Sequence, residues 1–152
     1  MNEPRMQRSI QASRAIAGRT CVGVRRIVHR FAGAASTKLN ALEIAWDGGA
    51  FTTVDVNADW TLCVVDYQWA DPFAGASEAQ LAECAREVGL LEPAAAGEDL
   101  ERLVGQKVTS VELLFNEMTE LTGIRAVFAG LVLVARMWAG DLEVRVDGAA
   151  GA

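Results

Sequence analysis

Five carboxylates in the last third of the chain have the side-chain type that acid–base chemistry needs: Glu112, Glu117, Glu120, Asp141 and Glu143. Two carboxylates held a few ångströms apart can act as general acid and general base, as they do in glycoside hydrolases. These five fall in expected turns and on the polar faces of expected strands, where acidic side chains are usually solvated. We therefore expect Glu117, Glu120, Asp141 and Glu143 to belong to an interaction surface rather than to a catalytic site.

A second set of acids imitates a calcium-binding loop. Asp55 and Asp59 are followed by Asp66, eleven residues after Asp55, as at the start and end of such a loop. The loop requires glycine at its sixth position and a helix on either side, but Trp60 occupies that position and β-forming residues surround it. The spacing therefore indicates a polar strand face entering a turn, and we expect no metal site.

Nucleophilic and phosphate-binding patterns are absent from the sequence. His29 is the only histidine, and Cys21, Cys63 and Cys84 have neither the spacing of a zinc site nor an even number for internal pairing. No glycine-rich loop ends in Lys-Ser or Lys-Thr, and no nucleophile elbow occurs. We expect no catalytic residue and no cofactor, reduced cysteines and a cytoplasmic protein; the sequence leaves enzymatic activity uncertain but favours a role without it.

Aromatic residues are concentrated in one expected loop, residues 67–73. This loop contains Tyr67, Trp69, Asp71 and Phe73. Large apolar side chains in a loop need a reason to be there. Two readings remain open: the loop covers a sheet edge as a satellite core, or it is an exposed contact site beside a pocket. Tyr67, Trp69, Asp71 and Phe73 are therefore candidate interaction residues.

Charged residues are distributed unevenly along the chain. Residues 1–40 contain eight basic residues and one acid, whereas residues 41–152 contain six basic residues and nineteen acids. An acidic body repels nucleic acid and anionic membranes and attracts basic proteins. We expect a protein partner, a basic one, and neither nucleic acid nor membrane; the apolar run at 126–135 is too short and interrupted for a membrane span.

The elements that must position these side chains are mainly strands. Period-two alternation and glycine turns predict two sets of four strands, at 22–31, 39–46, 51–56 and 60–65 and at 108–115, 122–128, 131–138 and 141–146. Moving residues 39–65 by 82 positions places them on 121–147, and moving 18–21 by 87 places them on 105–108. Since all meanders share a period of two, both a duplication and an accidental likeness remain open.

Between the two strand sets lies an expected helical connector. Ser77 and Gln80 form a capping-box pattern at the start of a helix over 77–88, whose apolar stripe should pack on a sheet face. Pro93 and residues 94–97 predict a linker, and 98–104 a second short helix. The expected fold is α+β, mainly antiparallel sheet from two similar four-strand meanders with a helical connector at about 77–104.

The expected organisation is one domain at 19–148 between two terminal segments. Unit one covers about 19–66, the connector 74–104 and unit two about 105–147. Residues 1–18 are expected to be a basic mobile leader or a short helix, and residues 149–152 a tail.

Residues 42–59, reading LEIAWDGGAFTTVDVNAD, and 111–146 share a rhythm of aromatic, Asp-Gly, strand, Asp-rich turn and strand. This rhythm is similar to that of small uncharacterised bacterial proteins, some of which resemble immunity proteins. The resemblance implies a cytoplasmic, acidic inhibitor that covers the active site of a toxin.

These observations favour a non-enzymatic protein-interaction domain, immunity-like in character, that presents an acidic surface to a basic partner. The alternative is a small-molecule-binding domain or minor enzyme with a pocket near residues 67–73. A homodimer through an unpaired strand edge is a further possibility.

Overall fold

The fold was described from a computed structural model, which covers residues 3–32 and 38–148; the predicted tail at 149–152 lies outside them. Within these residues the elements are, in chain order, α1 (Glu3–Arg14), β1 (Cys21–Arg30), β2 (Lys38–Trp46), a 3-10 turn (Asp47–Gly49), β3 (Phe51–Val56), β4 (Leu62–Val65), α2 (Glu78–Glu87), β5 (Leu90–Ala95), α3 (Glu98–Glu101), β6 (Val108–Phe115), β7 (Leu121–Phe128), β8 (Leu131–Trp138) and β9 (Asp141–Gly148). None of the helices in this part of the chain is long and apolar enough to cross a membrane.

The strands form two antiparallel sheets that share one core. Sheet one has the order β4-β3-β2-β1-β5 and sheet two the order β6-β7-β8-β9. Inward side chains of both sheets join apolar residues of α1 and α3 in a single cluster, with Trp46 and Phe128 as its largest members. The predicted α+β class with two four-strand meanders is confirmed.

The first two strands of each unit pair in the same register. Cys21 faces Trp46 in unit one, as Val108 faces Phe128 in unit two. A register shift follows this pair in both units, and a second shift precedes the pair Val28–Leu39 and its counterpart Phe115–Leu121. Because β-bulges are specific local features, their recurrence at equivalent positions supports a duplication over an accidental likeness.

Equivalent backbone hydrogen bonds also join the two units at one corner. Gly18 N–H donates to the carbonyl of Val108 (2.8 Å), and Gly105 N–H donates to that of Cys21 (2.7 Å). Between them, Thr20 and Lys107 form an antiparallel bridge. Gly18 and Cys21 are the unit-one equivalents of Gly105 and Val108, so the two bonds are equivalent and the corner has internal two-fold symmetry.

The predicted alignment of residues 39–65 with 121–147 without a gap is wrong beyond β2 and β7. Val54 pairs with Leu42, and Ala135 pairs with the equivalent Ile124, so Val54 corresponds to Ala135 and not to Arg136. Each later turn of unit two is one residue shorter than its counterpart. A one-residue slip moves side chains to the other face of a sheet, so the ungapped alignment placed core Val54 on a surface arginine.

The connector contains a strand that the sequence did not predict. β5 includes Pro93, overlaps the predicted linker at residues 93–95 and pairs antiparallel with β1 at the edge of sheet one. Proline is tolerated there because an edge strand has one side without hydrogen-bonded partners. The connector therefore extends sheet one as well as linking the units.

Helix α2 begins as predicted but packs less deeply. Ser77 accepts a hydrogen bond from Gln80 N–H while the Gln80 side chain accepts one from Ser77 N–H, which confirms the capping box. No residue of α2 is buried, and Val88 is 62% exposed. The apolar stripe is only partly buried, since α2 lies against edge strand β5.

The basic N-terminal segment forms α1, which lies along the outer edge of β4. Ser9 Oγ accepts a hydrogen bond from Val64 N–H (3.1 Å), and Ile10 and Ile16 enter the core. A helix that covers a strand edge prevents pairing with another chain. In residues 3–14 the alternative of a short helix, rather than a mobile leader, is therefore the one observed.

The Cys21 thiol provides a pH test of the core. Burial raises its pKa from 9.0 to about 11. Because the folded-state pKa is the higher one, the neutral thiol's contribution is complete below pH 9 and is lost as the pH rises through 11. We expect wild-type protein to lose about 1–2 kcal/mol of unfolding free energy by pH 10.5 relative to Cys21→Val, whose new side chain copies the equivalent Val108. Urea unfolding at pH 7 and 10.5 measures the difference; parallel pH profiles would contradict it.

Candidate functional site

The aromatic loop, residues 67–73, is fixed to the outer face of sheet one. Thr53 Oγ1 donates a hydrogen bond to the carbonyl of Tyr67 (2.8 Å), and Trp69 N–H donates to Glu43 Oε2 (2.9 Å). Both anchors stand on outward-facing positions of β2 and β3. The loop therefore covers part of a sheet face that would otherwise meet water.

Glu43 is a buried carboxylate that sequence reasoning did not single out. Its side chain accepts Arg25 Nε at 2.6 Å and Nη2 at 3.1 Å, and Glu43 is only 4% exposed. Paired hydrogen bonds of this kind fix geometry as well as compensating charge. The signal in the sequence was one acid within the apolar strand Leu42-Glu43-Ile44, but its burial depends on the loop above it.

Unit two contains the same pair with the charges exchanged. Glu112 and Arg125 occupy the positions of Arg25 and Glu43, and their side chains approach to 3.5 Å. Glu112 is exposed. The difference between the units is the aromatic loop, whose Trp69 N–H donates to the Glu43 carboxylate in unit one.

The aromatic loop has both half-buried residues, as expected of a satellite core, and exposed ones, as expected of a contact site. Trp69 and Phe73 are half-buried, whereas Tyr67 is 63% exposed and Asp71 accepts a hydrogen bond from Phe73 N–H (2.8 Å). A groove of about 440 Å³ lies beside Tyr67, between α1 and β4. The small-molecule alternative, which placed a pocket near this loop, stays a prediction.

The four acidic candidates do not form one surface with the aromatic loop. Glu117 and Glu120 lie in the β6–β7 hairpin. Asp141 forms an ion pair with Lys38 (2.7 Å), and Glu143 pairs with Arg136 (2.9 Å) on the outer face of sheet two, across the sandwich from the loop. Basic neighbours thus compensate Asp141 and Glu143.

The acidic excess is instead concentrated in the connector. Residues 74–104 contain seven acids and two basic residues, whereas residues 19–66 contain five of each and residues 105–148 contain six acids and four basic residues. Three of the connector's acids, Glu78, Glu83 and Glu87, are exposed on α2.

Helix α2 has a shallow groove along this acidic side, which we call the α2 groove. Its volume is about 430 Å³, and it is lined by Ala76, Gln80, Glu83, Cys84, Glu87 and Val88. Carboxylates and apolar atoms alternate along it, so it offers both charge and a contact for an apolar side chain.

Two hydrogen bonds hold α2 to the end of β1. Ala32 N–H donates to the carbonyl of Ala85 (2.9 Å), and His29 Nε2 donates to that of Val88 (2.8 Å). His29 also meets Phe31 edge to face, with ring centroids 4.8 Å apart. His29, the only histidine of the sequence, thus positions the connector.

The calcium-like acids are used locally. Asp55 accepts a hydrogen bond from its neighbour Val56 N–H (2.6 Å), and burial raises the pKa of its carboxyl. Across residues 3–32 and 38–148, no group of three or more Asp, Glu, His or Cys side chains could hold a metal ion.

No protein family matches the sequence, and neither a curated protein nor a solved structure matches it. What the connector can bind is therefore inferred from its own charges and contacts.

Proposed function

We propose that this protein is a non-enzymatic interaction protein whose α2 groove binds a basic partner protein. The observation that carries the proposal is the location of the acidic excess, which lies mainly on the connector between the two units. Joining the two units requires only a connecting segment. It does not require a charged helix on the surface, so this helix is a candidate for a binding role.

The groove has the composition of a binding surface for a basic, partly apolar segment. Val88 is 62% exposed beside Glu83 and Glu87. Opposite charge accelerates association and selects among partners, while an apolar contact slows dissociation. A partner that presents Lys or Arg around one apolar side chain would satisfy both features.

The resemblance to immunity-like proteins supplies a more specific form of the proposal. An acidic inhibitor that covers the basic active site of a toxin would use such a surface. The anchors at His29 and Ala85 support this form, because a helix held in place loses little further freedom when it binds.

Neutralising the groove should weaken the binding of a captured basic partner by about tenfold or more, since each 1.4 kcal/mol changes affinity tenfold. The test variant is Glu83→Gln/Glu87→Gln in the full chain. The matched control is Glu98→Gln/Glu101→Gln, which removes the same charge from α3. Partners captured from a host lysate would be identified, purified and titrated by calorimetry, with folding checked by circular dichroism.

Two results would overturn the proposal. If both variants lose affinity equally, the attraction is a property of the net charge and not of the groove. If neither loses affinity for any captured partner, the groove is not the binding surface.

A further inference from the structure

We propose that the outer edge of β6 is a separate binding site, which accepts an extended basic segment of a partner protein as an added antiparallel strand. The inference goes beyond the α2 groove and uses different residues. It rests on the comparison of two equivalent strands, β1 and β6, within this one chain.

The edge of β1 shows what the fold accepts at this position. β5 pairs antiparallel with β1 from Arg25 to Arg30. The equivalent stretch of unit two begins at Glu112. Among the strands of the described residues, β6 has β7 as its only neighbour in its sheet. The edge that β5 covers in unit one is therefore uncovered by any strand in unit two.

Neither the bulges nor α1 explain why this edge should stay unpaired. β6 carries the same two register shifts as β1, and β5 pairs with β1 across the second of them. The chain after α1 holds only the start of the edge, through hydrogen bonds between Gly18 or Arg19 and Val108. Helix α1 also packs against β6, with its buried residues directed into the core.

Charge identifies the occupant. The β1 edge is basic, and β5 brings Glu92, which forms an ion pair with Arg30 at 2.7 Å. Glu117 stands at the unit-two position of Arg30, in the hairpin that follows β6, and Glu112 stands at that of Arg25 with Arg125 beside it at 3.5 Å. No Lys or Arg occurs between residues 112 and 120. The charge of the edge is thus inverted. By the same complementarity, a strand added to β6 should carry Lys or Arg where β5 carries an acid.

The exposure along the edge agrees with strand addition. Ser110 and Glu112 are exposed, and Phe115 is 48% exposed at the end of the strand. In strand addition, main-chain hydrogen bonds give affinity and alternate side chains give specificity. A second copy of this edge would place acids beside acids, which favours a basic partner over self-pairing.

The probe for this site is a short capped peptide in which Lys alternates with Val, compared with the same peptide carrying Glu in place of Lys. Full-length ¹⁵N-labelled protein would be titrated with each peptide. We expect the Lys peptide to shift the amide resonances of residues 109–115 and to slow their hydrogen exchange, and the Glu peptide to have no such effect.

Glu117→Arg copies the charge of Arg30 and lies in a surface hairpin, so it is expected to fold. It should weaken the Lys peptide about tenfold and allow the Glu peptide to bind. Glu83→Gln/Glu87→Gln should leave the titration unchanged, which separates this site from the α2 groove. Shifts confined to α2, equal shifts with both peptides, or no shifts would overturn the proposal.

Discussion

Replacing Trp46 with alanine should lower the free energy of unfolding by about 3–5 kcal/mol, the cost typical of truncating a buried aromatic side chain. Trp46 is 1% exposed and belongs to the core cluster to which both sheets and α1 contribute. Its indole also donates Nε1–H to Thr52 Oγ1 at 2.8 Å, so truncation leaves a buried hydroxyl without that donor. Urea denaturation followed by circular dichroism measures the loss.

Unit two supplies matched controls for this prediction. Phe128 and Leu133 occupy the positions of Trp46 and Thr52, so an apolar pair replaces a hydrogen-bonded one. Trp46→Phe alone should cost about 1–2 kcal/mol, because it removes the donor and some volume. Trp46→Phe/Thr52→Leu, which copies unit two, should recover part of that cost. Two results would contradict this account. One is a loss of less than about 1 kcal/mol of unfolding free energy in Trp46→Ala. The other is a loss in Trp46→Phe/Thr52→Leu that exceeds the sum of the losses in the two single variants.

The meanders were predictable because each local signal agrees with the fold. Alternation placed Leu142 and Val144 on one face, and Gly48 and Gly140 adopt the positive φ that their turns require. Ser77 and Gln80 marked the start of α2 because a capping box is complete within four residues. These signals need no knowledge of the rest of the chain.

What escaped prediction depends on distant partners. β5 is a strand only because β1 offers it an edge, and locally Pro93 with its alanines has the composition of a linker. Glu43 is buried only because the aromatic loop crosses above it. The one-residue error in aligning Val54 with unit two has a similar origin. Hairpin geometry sets the length of each turn, and the period-two pattern of the strands does not reveal that length.

The candidate surfaces also differ in whether local sequence is enough to predict them. Composition identified Tyr67 and Asp71 as candidate interaction residues in a loop, but it left open whether that loop is exposed or covers a sheet edge. The α2 groove could not, because the apolar stripe of α2 predicts a helix packed on a sheet face. Its actual position at the edge of β5 is what leaves Glu83 and Val88 accessible. The β6 edge is visible only when the registers of both units are compared.

The position of α2 should depend strongly on Gly89, the residue between this helix and β5. Gly89 has φ +82°, and a Cβ atom there would lie 2.5 Å from His29 Nε2 and 3.1 Å from the carbonyl of Arg30. Gly89→Ala therefore combines backbone strain with displacement of the histidine that binds the carbonyl of Val88. We expect it to cost about 2–4 kcal/mol in unfolding free energy.

Gly97→Ala separates the two effects. Gly97 has φ +90°, but nothing lies within 4 Å of the added Cβ, so strain alone should cost about 1 kcal/mol. His29→Ala in the Gly89→Ala background should restore part of the loss, because it removes the overlapping ring. Equal destabilisation by Gly89→Ala and Gly97→Ala would show that His29 does not position the connector. If the larger effect is observed, Gly89→Ala should also weaken partner binding at the α2 groove while leaving the β6 edge unaffected, since only the first site is positioned through this turn.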